Sequence, residues 1–246
     1  MTGQLPLDLP HRPSHAEEDF LAAPSNEKAL ALLRLWPDWP HRLLLLTGPK
    51  GSGKSHLAAI WARRAGARLL PARELALEGL PELAAAPALA IEDADRPPLR
   101  ETELFHLINL AMERGVFLLI TARSNPDAWG LATRDLLSRL RRAPAVALEQ
   151  PDDAFLRAIL VKLFHDRQIA VESSLIDFLI PRMERSFETA QGIVEALDRE
   201  ALARGRPITR ALAAGLLAAA PELAAPGDED ASDRDPDDCD PDDRNH

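Results

Sequence analysis

Gly48, Gly53, Lys54 and Ser55 stand at the spacing Gly-x-x-x-x-Gly-Lys-Ser, with Pro49, Lys50, Gly51 and Ser52 between them. Glycines let a backbone curl until successive N–H groups, here those of residues 51 to 56 with His56 last, aim at one point. Such a nest of donors accepts phosphate oxygens. A lysine after the second glycine adds a full charge directed at the β and γ phosphates. The hydroxyl that follows it is a ligand for Mg²⁺. The chemistry implied is the holding of ATP or ADP with Mg²⁺. A glycine-rich turn with no ligand is the plainer reading, and the complete motif in its local context argues against it.

Further along the chain, Glu92 and Asp93 end the short apolar run Ala88 to Ile91. Acids at a strand end can hold Mg²⁺ directly or through water, and can polarise an attacking water. In isolation they read as a solvated strand end. Beside the glycine loop they read as the second half of one site, with Ser55, Glu92 and Asp93 toward the metal.

Elements must bring these residues together. Leu43 to Thr47 is an apolar run directly before the glycine turn, hence a buried strand, and residues 54 to 65 read as the helix that follows. Residues 88 to 91 and 116 to 121 read as further buried strands, and 145 to 148 as a fourth short strand. Residues 26 to 35, 101 to 114 and 135 to 141 read as helices, the second with Leu104, Leu107, Ile108 and Ala111 on one face and Gly115 at its end. Ser25 or Asn26 suits the N-cap of the first. Strands alternating with helices predict an α/β fold with a parallel sheet flanked by helices. From Asp152 the pattern changes: residues 152 to 165, 172 to 183, 186 to 204 and 207 to 219 read as helices without intervening strands. The expected division is a flexible N-terminal segment 1–19, a nucleotide-binding core 20–150, a small all-helical lid 151–220 and an acidic disordered tail 221–246.

Composition bounds the rest. The chain has 246 residues, 46% of them hydrophobic, so it can bury a core, and with no Tyr and 4% aromatics that core must be aliphatic. The net charge of -10 is concentrated in residues 227–246, where ten acids face two arginines. The remainder is close to neutral and carries no electrostatic footprint for nucleic acid. The lone cysteine, Cys239, permits neither a disulfide framework nor a thiolate metal site within one chain. Neither a signal peptide nor a membrane-length apolar run is visible, and the expectation is a cytoplasmic protein without membrane contact.

Taken in order, the loop 48–55, the acidic strand end, the helix Leu104-Phe105-His106-Leu107-Ile108-Asn109, the strand ending in Thr121 and the box Asp135-Leu136-Leu137-Ser138-Arg139-Leu140 resemble the AAA+ ATPases of the DnaA/Hda branch. The resemblance covers residues 4 to 218. It implies an AAA+ core followed by the helical lid, and it implies roles. Arg139 falls where the family places an arginine finger, which reaches a neighbouring subunit's nucleotide in trans, and with Asp93 it makes up the catalytic set. Gln4, Leu5, Leu7 and Leu9 are similar to the peptide with which the branch's short regulators bind the DNA polymerase sliding clamp (its β subunit). A short extended segment of this kind can bury three leucines in a pocket while Gln4 bonds the rim. The implied partners are DnaA and the clamp, with DNA reached indirectly through the clamp, and the family allows a homo-oligomer.

Three positions depart from the pattern. Glu92 stands first in the acid pair where aspartate is usual. The strand ending in Thr121 continues Ala122-Arg123 where the family often has Thr-x-Asp. Glu188 occupies the place of a sensor arginine, with Arg185 and Arg182 one and two helical turns away. These changes leave nucleotide binding intact and predict slow intrinsic hydrolysis. The function implied is a regulator of chromosomal replication initiation: bound to the DNA-loaded clamp, it promotes hydrolysis of DnaA-bound ATP and so prevents re-initiation. The alternative is a DnaA-like AAA+ ATPase acting as a helicase loader or another replication-associated ATPase. A small-molecule kinase would use the same loop, but no acceptor-substrate motif is visible.

Overall fold

The computed structural model describes residues 21–224. The Gln4–Leu9 string and the acidic stretch 227–246 lie outside the described residues.

The core is a five-stranded parallel sheet. Its strands are β1 (Leu43–Thr47), β2 (Arg68–Pro71), β3 (Ala88–Glu92), β4 (Phe117–Ala122) and β5 (Ala145–Ala147), in the spatial order β2-β3-β4-β1-β5. All five residues of β1 are buried. Strands covered on both faces read as unbroken apolar runs rather than alternating ones, and the run Leu43 to Leu46 is of this kind. The register pairs Leu46 with Thr121 of β4 and with Val146 of β5. The carboxyl ends of β1, β3 and β4 therefore finish at one edge of the sheet, where the glycine loop begins.

Alternate strand residues face opposite ways. Leu43, Leu45, Leu89, Ile91, Leu118 and Ile120 join a core with Leu104, Leu107 and Ile108 of α4 (Glu101–Arg114) and Leu136 and Leu140 of α5 (Arg134–Arg142). The short helix α3 (Leu80–Leu83) packs on the same face. Leu44, Leu46, Ala88, Ala90 and Leu119 face the other way. They meet Leu30 and Leu33 of α1 (Glu27–Arg34) and Leu57 and Trp61 of α2 (Lys54–Ala65). Leu107 has no exposed surface, so truncating it to Ala costs about 2–5 kcal/mol.

The remaining helices are α6 (Asp153–Asp166), α7 (Ser173–Leu179), α8 (Phe187–Arg204) and α9 (Arg210–Ala219), and they enclose a third core around Leu160, Phe164, Ile193 and Leu197. Side chains cap the starts of α6 and α8: Asp152 accepts from the N–H of Phe155 at 2.7 Å and Ser186 from that of Thr189 at 2.9 Å. Thr209 caps α9, which begins three residues later than the sequence predicts because Pro207 and the cap residue precede it. The helix expected over 172–183 stops at Leu179 and tightens into a 3₁₀ turn, Ile180–Arg182, where Pro181 has no N–H to continue it. Among the described residues, no helix is long and apolar enough to cross a membrane.

Candidate functional site

The loop from Gly48 to Gly53 connects β1 to α2. Gly48, Gly51 and Gly53 all have positive φ, at 151°, 78° and 94°. The curl leaves almost no room for side chains. A Cβ on Gly48 would lie 2.5 Å from the carbonyl oxygen of Leu148, and one on Gly51 would lie 2.2 Å from the Cβ of Ser186. Gly53 is the N-cap of α2 and offers no side-chain acceptor. The first-turn N–H groups of that helix, from Lys54 on, have no intrahelical partner and concentrate partial positive charge at the loop.

Lys54 is 7% exposed. Its Nζ donates to the carbonyl oxygens of Gly48 at 2.6 Å and Pro49 at 2.7 Å, so the ammonium is folded over the loop it follows. Burial pulls its pKa below the ordinary lysine value, against the opposing pull of the Asp93, Asp95 and Glu92 carboxylates. The acids at the end of β3 and the lysine at the start of α2 thus share one electrostatic neighbourhood. Ser55 is exposed at the head of α2, and Ser52 is buried with a hydroxyl that has no partner in the described residues.

Glu92 and Asp93 differ in setting. Glu92 is half-buried, and its Oε1 is buried without a hydrogen-bond partner among the described residues. Asp93 sits in the left-handed region, at φ 54°, with its carboxylate 3.3 Å from the guanidinium of Arg96. Its N–H donates to the Thr121 hydroxyl at 3.1 Å. Sequence reasoning missed Asp95. Its Oδ2 accepts from the N–H groups of Arg123 and Ser124, at 2.8 and 3.0 Å, and from the Ser124 hydroxyl at 3.1 Å. The only signal was an aspartate two positions beyond an acid pair at a strand end.

A cavity of about 30 Å³ adjoins the loop, lined by Leu21, Asn26, Pro151, Phe155, Ile159 and Phe187 together with Gly51 to Gly53 and His56. The His56 ring stands edge-on to Phe187, with centroids 5.1 Å apart. The segment leading into α8 meets the loop directly: Lys50 pairs with Glu184 at 3.3 Å, and Gly51 packs on Ser186. Of the two arginines noted near Glu188, Arg185 lies at this junction. It is paired with Asp153 at 2.7 Å, and its carbonyl oxygen lies 3.3 Å from the Cβ position of Gly51. Arg182 instead stacks on Phe178, 4.3 Å from the ring centre. Glu188 is exposed.

Arg139 stands apart from this cluster. It is exposed on α5, and its Cζ lies 5.4 Å from the centre of the Phe105 ring on α4. Its neighbour Arg141 pairs with Asp127. The structure therefore brings together the loop 48–55, His56, Glu92 and Asp93, and leaves Arg139 on the surface. Gln4, Leu5, Leu7 and Leu9 lie outside the described residues.

Mg²⁺ fits these residues through a shared shell. Among the described residues no group of three or more His, Cys, Asp or Glu could hold a metal alone. Mg²⁺ is commonly bound by one or two carboxylates with phosphates and water, and the donor set here, a hydroxyl and two carboxylates with one orphaned oxygen, suits that pattern.

The fold is that of an AAA+ ATPase domain, in the form seen in DnaA and RuvB. Domain III of the Thermotoga maritima replication initiation protein DnaA superposes with a TM-score of 0.72 at 19% identity, covering 86% of this chain and 98% of that one. DnaA from Aquifex aeolicus, solved with AMPPCP bound, matches with a TM-score of 0.65 at 17% identity, over 76% of this chain and 66% of that one. The RuvB Holliday junction branch migration motor of Thermotoga maritima gives 0.64 at 18% identity, over 83% and 72%. No family model matches the sequence.

Proposed function

We propose that this chain binds ATP or ADP with Mg²⁺ and acts as an Hda-like regulator of replication initiation, promoting hydrolysis of DnaA-bound ATP while it is held on the DNA-loaded sliding clamp. The observation that carries the nucleotide reading is the buried Lys54, folded over a loop of three positive-φ glycines and facing the carboxylates of Glu92 and Asp93. Apart from bound anions, little gives a buried ammonium and a nest of backbone donors a common purpose.

In this reading residues 51 to 56 cradle the phosphates with their N–H groups. Lys54 exchanges its carbonyl partners for the β and γ phosphate oxygens. Ser55, Glu92 and Asp93 hold Mg²⁺, which supplies charge neutralisation at the phosphates when bound. The apolar walls from Phe155, Ile159 and Phe187 suit a base.

The regulatory half of the proposal rests on Arg139. An exposed guanidinium on α5 suits contact with a partner's nucleotide. There a planar guanidinium can meet charge that builds on the γ phosphate. Cytoplasmic location and clamp docking through Gln4, Leu5, Leu7 and Leu9 belong to the same proposal.

The test is a hydrolysis time course with DnaA, clamp and DNA, each omitted in turn. The expected result is turnover only with all present, and its loss in Arg139→Ala by about 10³ or more, the scale on which such fingers act. Brisk turnover by this chain alone would indicate a self-contained ATPase. Full stimulation by Arg139→Ala would contradict the role given to Arg139.

A further inference from the structure

Asp93 is one of two non-glycine residues in the described chain with positive φ. That conformation is uncommon for a residue with a Cβ, and although aspartate adopts it more readily than most, its surroundings here hold it in place. Three consecutive residues, 93 to 95, are stitched to the end of β4. The N–H of Asp93 donates to the Thr121 hydroxyl at 3.1 Å, and the N–H of Ala94 to the Thr121 carbonyl at 2.9 Å. Asp95 closes the seam with three bonds to its single Oδ2, from the N–H and hydroxyl of Ser124 and the N–H of Arg123.

We infer that Asp95 is a positioning residue: by clamping the Arg123–Ser124 turn against the end of β3, it holds Asp93 in its left-handed conformation and so aims the Asp93 carboxylate. The stitching explains why the two neighbouring acids face different work. Asp95 spends one oxygen on three donors of one turn, a load typical of a carboxylate that organises backbone. Asp93 spends only its main-chain N–H on the seam, which leaves its carboxylate on the surface of the site beside Arg96, both partly exposed. The inference rests on the reading of this site as one for Mg²⁺ and nucleotide.

Two substitutions separate positioning from direct contact. Asp95→Asn keeps an oxygen able to accept from the same three donors and removes the charge. Asp95→Ala removes the acceptor. Affinity for ADP is measured by titration with and without Mg²⁺ on the full chain, and amide hydrogen exchange is followed at Arg123 and Ser124. The expected result for Asp95→Ala is faster exchange at both amides and a loss of at least tenfold in the affinity gained from Mg²⁺, read as the ratio of the affinities with and without the metal. Asp95→Asn should restore most of both.

An Asp95→Ala chain that exchanges faster at those amides yet responds to Mg²⁺ as wild type does overturns the inference alone. So does Asp95→Asn failing as badly as Asp95→Ala with its turn still protected, because then the charge itself acts. Wild type that binds no nucleotide overturns the reading of the site, and the inference with it.

Discussion

Phe105 and Arg139 lie on different helices, and the guanidinium carbon of Arg139 sits 5.4 Å from the centre of the Phe105 ring. Arg139 has no carboxylate within ion-pair distance among the described residues, whereas Arg141 on the same helix is paired with Asp127. An aromatic face steadies a guanidinium without neutralising it, by about 0.5–1 kcal/mol at an exposed site. Under the proposed function, the ring on α4 thus steadies the arginine that α5 offers to a partner's nucleotide. Phe105→Leu keeps apolar packing and removes the ring. Stimulated hydrolysis by DnaA should fall a few-fold, with the melting temperature little changed. Wild-type stimulation would mean the ring does not matter.

Glu101 supports the same helix from its other end. Its carboxylate accepts from the N–H groups of Ala132 at 3.1 Å and Thr133 at 2.9 Å, just before α5, and the bond from Thr133 is the main reason its pKa is lowered. A carboxyl whose folded pKa lies below its unfolded value, roughly 4.3, contributes stability above that value and loses it as pH falls toward the folded one. Glu101→Gln should therefore melt below wild type at pH 7, and the gap should close in acid. Melting curves over that range test this, and a gap that widened in acid would contradict it.

Gly51→Ala should damage loop and lid together. The residue's φ is 78°, and the added Cβ would fall 2.2 Å from the Cβ of Ser186 at the head of α8. Left-handed strain alone costs about 1 kcal/mol, and the clash adds to it. Thermal unfolding and ADP titration should show a lower melting temperature and at least a tenfold weaker affinity, about 1.4 kcal/mol. An unchanged protein would show that the lid does not rest on the loop.

How much of this was legible beforehand follows from where each signal resides. The strand Leu43–Thr47 and the helix Lys54–Ala65 are found at the predicted residues, because an unbroken apolar run and a glycine motif are local signals. The strand β2 was not predicted. It has four residues at the sheet edge, Arg68 and Leu69 are exposed, and its pairing with Leu89 and Ala90 owes little to its own pattern. Glu92 and Asp93 were legible as strand-end acids. Asp95 was not, because its role depends on the turn at Arg123 and Ser124, brought beside it only when β3 and β4 pair. The contact of Gly51 with Ser186 is likewise tertiary, joining the loop to a helix far along the chain.

The clamp segment makes a separate prediction. Leu5 and Leu7 fall outside the described residues, and the proposal gives them to a hydrophobic pocket on the clamp. Replacing both with Ala should remove about 2 kcal/mol of apolar burial each. Clamp capture should nearly vanish while ADP affinity stays at the wild-type value. Undiminished capture would place the docking element elsewhere.

The central claim is that residues 48 to 55 hold a nucleotide through Lys54, and titration with labelled ADP tests it most directly. Lys54→Ala, still folded, should bind at least tenfold more weakly than wild type, about 1.4 kcal/mol or more. A pH series adds a sign. Because burial sets the Lys54 pKa below the ordinary 10.5, the free protein loses this charge earlier than an exposed lysine would as pH rises. Bound phosphate favours the charged form, so wild-type affinity should begin to fall below pH 10.5, a dependence that Lys54→Ala should lack. Equal affinity of wild type and Lys54→Ala at neutral pH, where the ammonium is charged, would contradict the account.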